Sequence, residues 1–177
     1  MPIPQTVRAS TAATQSQAYR GELAVRSFER LLPSLANGEG QLRVELRARK
    51  AHGHAVLDGT VDGALSLRCL RCDRAYAWPV RIDVALRLVD TEEEEQAVLH
   101  EADPYLVQDD QLPLREIVED ELLLALPMLP RCESCENIVR AGAAEASPET
   151  QTQDGAAHGR ENPFAALKGR LGIQSKE

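Results

Sequence analysis

Residues 57–88 read LDGTVDGALSLRCLRCDRAYAWPVRIDVALRL. Leu57, Gly59, Val61, Gly63, Leu65 and Leu67 alternate with Asp58, Thr60, Asp62, Ala64, Ser66 and Arg68. A period of two is that of a strand with one dry and one wet face. After Cys69–Asp73 the alternation resumes: Tyr76, Trp78, Val80, Ile82, Val84, Leu86 and Leu88 fall on one face, with Arg81, Asp83, Ala85 and Arg87 between them. Two strands joined this way make an antiparallel hairpin with a Cys-x-x-Cys at its tip. Gly59 and Gly63 predict a bulge or a strong bend. Pro79 predicts an edge position, or a strand that begins just after it.

Working outward, Leu42, Val44, Leu46 and Ala48 alternate with Arg43, Glu45, Arg47 and Arg49, a strand with a mostly basic wet face. His52-Gly53 reads as the turn that follows it. Tyr19, Gly21, Leu23 and Val25 form a shorter strand. Ser27 can cap a helix, in which Phe28, Leu31, Leu32 and Leu35 make one apolar stripe; Pro33 makes that helix short or kinked, ending near Gly38. Downstream, Glu92–Glu95 read as a solvated loop, and Tyr105–Val107 as a short strand. Pro113 suits a first helical turn, and Leu114, Ile117, Val118, Leu122 and Ala125 then carry the helical period. The acids on the outer side of this helix read as a solvated face. The expected fold is α+β: a small antiparallel sheet from residues near 19–25, 42–49, 55–68 and 75–89, with a helix near 113–126 packed on it. Residues 1–17 read as a flexible N-terminus, 18–139 as a single α+β domain, 140–161 as a disordered linker of small and polar residues, and 162–177 as a tail bearing an Asn-Pro-Phe motif.

The chain has four cysteines, Cys69, Cys72, Cys132 and Cys135, in two Cys-x-x-Cys pairs. Two such turns can present four thiolates to one ion, the closed coordination of structural zinc. Between Cys72 and Cys132 lie 59 residues, against roughly 15–20 in the usual ribbon spacing; loop-closure entropy grows slowly enough to allow this. Reduced cysteines near a core and a redox pair are the competing readings. A thioredoxin-like motif sits at a helix N-terminus, whereas here strand patterns flank Cys69 and Cys72, which favours one structural zinc.

Of the 177 residues 43% are hydrophobic but only 3% aromatic, so the core is aliphatic. The net charge of −8 is unevenly spread: residues 41–90 hold nine Arg and Lys against six acids, and residues 91–137 two against fourteen. An acidic chain does not advertise non-specific nucleic-acid binding, yet a local basic surface remains. No stretch approaches the ~20 apolar residues of a membrane span, and no secretory h-region opens the chain. Four cysteines in that setting point to a cytoplasmic protein. Phosphate loops, Gly-x-Ser-x-Gly and His-Glu-x-x-His are absent from the sequence. The four histidines, His52, His54, His100 and His158, fall in turn or loop contexts. The expectation is a non-enzymatic binding protein without a small-molecule substrate.

Three stretches resemble the YceD family of large ribosomal RNA subunit accumulation proteins: LSLRCLRCDRAYAWPV, the acidic helix LREIVEDELLLALPMLPRC, and NPFAALKGRL near the C-terminus. The resemblance implies a ribosome-biogenesis factor that supports synthesis, processing or stability of 23S rRNA, with rRNA or a pre-ribosomal particle as partner and no defined catalytic residues. The residues themselves add a candidate RNA-binding surface, Arg68, Arg71 and Arg74, joined by Arg131 if the two cysteine turns meet; arginines at a rigid turn can hold phosphates or else balance thiolate charge. The alternatives are an adaptor that binds a ribosomal protein or a ribonuclease through the acidic helix and the tail residues Pro163, Phe164 and Leu167, or a zinc-ribbon redox sensor.

Overall fold

The computed structural model describes residues 3–136. The chain enters as a two-residue strand β1 (Val7–Arg8) and a short helix α1 (Ala9–Thr14). Ile3, Ala9, Ala12 and Ala13 are buried, so residues 3–17 are part of the packed domain and not the flexible segment expected. Small side chains let α1 lie close on the sheet, and its N-terminus is capped from afar: the Asp110 carboxylate accepts from the Ser10 amide and hydroxyl, both at 2.7 Å. Side-chain capping of this kind satisfies donors that the helix itself leaves orphaned.

Strand β2 (Ala18–Ala24) follows, then single 3₁₀ turns at Val25–Ser27 and Leu32–Ser34. The helix expected from the Phe28–Leu35 stripe does not form. Pro33 lies within the second turn and withholds the N–H that a longer helix needs. Ser27 caps nothing; its hydroxyl donates to the Ala24 carbonyl at 2.7 Å. Phe28 and Leu31 are nonetheless buried, so the stripe marked core contact correctly and the wrong backbone.

The body of the domain is β3 (Gln41–Ala51), β4 (His54–Arg68) and β5 (Ala75–Val89). The β3–β4 turn uses His52 and Gly53 with φ of 52° and 85°, the pair of left-handed residues that a two-residue hairpin favours. β2–β3, β3–β4 and β4–β5 are antiparallel. Their register is unbroken, with Val44 opposite Val61 and Val61 opposite Ile82. No bulge interrupts β4. Gly59 serves close approach instead: a Cβ there runs into the Glu45 carbonyl and the Leu46 backbone. Leu42, Val44, Leu46, Leu57, Val61, Leu65 and Val84 line the dry face.

After β5, α2 (Glu92–Val98) occupies the acidic run read as a loop. The Thr91 hydroxyl accepts from the Glu94 amide at 3.2 Å, and the Glu94 carboxylate accepts from the Asp90 amide at 3.1 Å. This pairing resembles a capping box, and four glutamates in the first turn suit the positive end of the helix. Residues 90–102 cross over to β6 (Asp103–Leu106), which pairs parallel with the end of β5, Leu86 opposite Asp103 through Val89 opposite Leu106. The sheet order is β2-β3-β4-β5-β6. Because β6 reaches only that end of β5, Pro79 stands where β5 is an edge, and its missing N–H leaves no ladder bond unmade. β7 (Gln111–Leu112) pairs with β1. Finally α3 (Leu114–Ala125) packs against β5 with Leu114, Ile117, Val118 and Leu122 buried. The α+β expectation holds, with one parallel strand added to the antiparallel set.

Glu119 is the one buried charged residue among those described. Its Oε1 accepts from the backbone amides of Arg30 (2.7 Å) and Leu31 (3.1 Å), and its Oε2 from Arg30 Nε (3.3 Å). The chain after the first 3₁₀ turn is thus pinned to α3 by a side chain rather than by secondary structure.

Candidate metal centre

Cys69 directly follows β4. The turn closes through the Cys69 amide donating to the Arg74 carbonyl and the Asp73 amide donating to the Cys69 carbonyl, each at 2.9 Å, with Asp73 at φ 59°. Arg68 braces it: Nη1 donates to the Asp73 carbonyl at 3.0 Å and lies 3.4 Å from its carboxylate. The second turn is local too, the amides of Cys135 and Glu136 donating to the Cys132 carbonyl at 2.9 and 3.0 Å. One backbone bond joins the two, from the Leu70 amide to the Pro130 carbonyl at 3.0 Å.

The four Sγ atoms lie within 4.8 Å of one another. Cys72 Sγ and Cys132 Sγ are 3.7 Å apart, far beyond a disulfide's ~2.05 Å. A tetrahedral metal with bonds of about 2.3 Å sets sulfurs about 3.8 Å apart, so the donors suit one small thiophilic ion. Cys69 and Cys135 are buried, Cys132 is half-buried and Cys72 exposed. A hydrogen bond from the Cys132 backbone is the main cause holding the Cys69 thiol down to about 6, against the opposing effect of burial. Burial pushes Cys135 up to about 12. Burial, and next the thiolates of Cys69 and Cys132, raise the Tyr76 phenol. A dication in such a cage offsets the cost of crowded thiolates. The four cysteines can therefore hold a metal.

The arginines divide. Arg68 is engaged with Asp73. Arg71 and Arg131 come together with Leu70 and Leu129 around a hollow of about 350 Å³, while Arg74 is exposed at the far end of the turn. Leu70, Met128 and Leu129 are exposed large apolar residues of this region that the sequence reading did not single out. The signal for two of them was the run LLLALPML, which carries more apolar residues than the α3 stripe needs. Pro163, Phe164 and Leu167, like residues 140–161, lie outside the described residues.

The model of the family described as Large ribosomal RNA subunit accumulation protein YceD matches residues 57–169. The chain belongs to the YceD family. The match begins in β4 and takes in both cysteine turns and α3. The family's description ties this chain to accumulation of the RNA of the large ribosomal subunit. No solved structure matches the chain. Among the described residues, no helix is long and apolar enough to cross a membrane.

Proposed function

We propose that the protein is a non-enzymatic, cytoplasmic ribosome-biogenesis factor that supports synthesis, processing or stability of 23S rRNA. It contacts RNA, free or in a pre-ribosomal particle, through the arginines beside a structural zinc centre. Zinc on Cys69, Cys72, Cys132 and Cys135 supplies rigidity here, not chemistry: it fixes the two turns so that side chains from distant parts of the chain share one surface. In this reading the working domain runs to residue 139 with residues 3–17 packed into it, 140–161 is a linker, and Pro163, Phe164 and Leu167 contact a protein partner such as a ribosomal protein or a ribonuclease.

The observation that carries the reading is the pairing of Arg71 with Arg131 at one hollow. Neither has a carboxylate partner in an ion pair among the described residues. The wet face of the sheet is different. Over residues 20–22, 43–49, 58–62 and 81–87 six arginines alternate with five acids, and ion pairs join Arg20 to Glu45, Arg49 to Asp58 and Arg81 to Asp62. Taken over its whole breadth, a face so nearly neutral gives little long-range attraction for a phosphate chain, whereas guanidiniums without an ion-pair partner at a fixed turn bind phosphate directly.

The test is a salt series on a 23S rRNA fragment, comparing the zinc-loaded protein with Arg71→Ala/Arg131→Ala. Each lost phosphate contact lowers the slope of log K against log salt by about 0.7–0.9, so the double variant should lose about 1.5. An unchanged slope and affinity refutes the phosphate role. The exposed Leu70, Met128 and Leu129 favour a second reading, a protein-binding adaptor. That reading prevails if Leu70→Ser/Leu129→Ser, and not the arginine variant, abolishes association with pre-ribosomal particles.

A further inference from the structure

At the opposite end of the long hairpin, around the β3–β4 turn, the wet face of the sheet holds a second hollow of about 260 Å³. Its floor is Val56 and Ala85, and its rim includes Arg49, His52, His54 and Arg87. The register explains the arrangement. Arg49 lies opposite Val56, and Val56 opposite Arg87, so one row across three strands reads arginine, valine, arginine. Ala102, from the crossover after α2, closes one side.

Both arginines are held in place without being used up. Arg49 Nε donates to Asp58 Oδ1 at 2.7 Å, which orients a half-exposed guanidinium. A guanidinium carries five N–H donors in a plane, and this pairing engages one of them. Arg87 Nη1 lies 3.6 Å from Glu101 Oε2, with the arginine side chain 17% exposed and the glutamate 75% exposed. The site therefore offers a small apolar floor, two planar guanidiniums and two imidazoles, at a part of the sheet with little net charge.

We infer that this hollow seats one unpaired nucleotide of an RNA strand, its base on the Val56–Ala85 floor beside the Arg49 guanidinium and its phosphate toward the remaining N–H groups of Arg49 and Arg87. The inference rests on the RNA reading above and adds a second contact to it. Unstacked bases are recognised by stacking on guanidinium and imidazole planes as well as on aromatic rings. A peptide fits the site less well. The hollow lies over three paired strands, whose backbone groups are taken, so an added strand has nothing to bond. A docked helix needs a groove long enough for anchors several residues apart, and this hollow of about 260 Å³ is confined to one end of the three strands. The arginines suit the phosphate, and the floor takes one flat ring.

The seat lies far from the cysteine turns. Val56 and Arg68 are twelve positions apart along β4, about 40 Å at ~3.3 Å per residue. A trinucleotide, roughly 10 Å long at the ~3.4 Å stacked rise, cannot touch both. This makes the seat testable by itself. Zinc-loaded full-length protein is titrated with the RNA trinucleotide UAU, following backbone amide shifts by NMR. Expected are saturable shifts around His54, Val56 and Ala85, with affinity changing less than threefold between 50 and 200 mM salt because stacking dominates. Ala85→Ile fills the floor at an exposed strand position without altering charge, and should weaken binding at least tenfold with the melting temperature unchanged. Arg71→Ala/Arg131→Ala should leave trinucleotide binding intact. The inference is overturned if these amides do not respond, if an abasic trinucleotide or an Asp-Glu-Asp tripeptide shifts them with equal affinity, or if Ala85→Ile binds as well as the parent. A failure of the cysteine-turn arginines to bind long RNA shows in the salt slope and leaves the trinucleotide result untouched.

Discussion

Stripping the metal should loosen one end of the molecule without dissolving the sheet. A metal shared by Cys72 and Cys132 ties together positions with 59 residues between them. By the loop-entropy relation for cross-links, closing such a loop stabilises the folded state by about 4 kcal/mol. For a domain of this size each kcal/mol moves the melting temperature by about 3–5 °C, so chelation should lower it by roughly 15 °C. The loss should be local first. The dry face of β3, β4 and β5 packs against itself and α3, while the join between the cysteine turns has one backbone bond, from Leu70 to Pro130. The assay is thermal unfolding under reducing conditions with one equivalent of zinc and with excess chelator, together with amide exchange at Leu70. Zinc should protect the Leu70 amide and leave the central β4 amides unchanged. Cys72→Ser, at the exposed ligand, should abolish most of the zinc-dependent shift. If the protein fails to take up one equivalent of zinc, or if zinc raises the melting temperature equally in Cys72→Ser/Cys132→Ser, the four-cysteine cage is not a metal centre.

Two further perturbations test polar contacts that hold the rest of the domain together. Glu119→Ala leaves the amides of Arg30 and Leu31 without their acceptor; at ~1.5–3 kcal/mol for each bond to a charged group, denaturant unfolding should show a loss of about 3–5 kcal/mol, and Glu119→Gln, which keeps an acceptor oxygen, a smaller one. Asp110 has its carboxyl below the ordinary range, chiefly because it accepts from the Ser10 backbone amide, and next from the Ser10 hydroxyl. Its contribution is therefore complete above the unfolded carboxylate value and disappears as pH falls through the lower folded one. Amide exchange in α1 should accelerate on acidification across that window, and Asp110→Asn should remove the pH dependence.

The strands of the hairpin were legible because alternation is local: each wet or dry position is set by its own residue, and β3, β4 and β5 lie where the period of two placed them. α3 was legible for the same reason at period 3.6. What escaped was decided at a distance. α1 buries alanines, which give little hydrophobic contrast, and its cap is Asp110, about a hundred residues away. The parallel pairing of β6 depends on where the crossover lands, which no local pattern records. In contrast, the capping pair Thr91 and Glu94 was present in the sequence, and the acidic run around it obscured the helix.

The metal centre joins both kinds of information. Cys69 continues the dry parity of Leu65 and Leu67 and is buried, whereas Cys72 lies in the turn beyond the strand and is exposed. Alternation along β4 thus fixes which cysteine of the first pair faces inward. The second pair has no strand to set its parity, and its placement comes from the length of α3 and from Pro127 and Pro130, which end the helix and carry the chain back to Leu70. Arg71 and Arg131 meet only through that return. A surface built this way depends on the length of the connection as much as on the residues that line it. A change in α3 or in the two prolines that left all four cysteines in place would still separate the arginines.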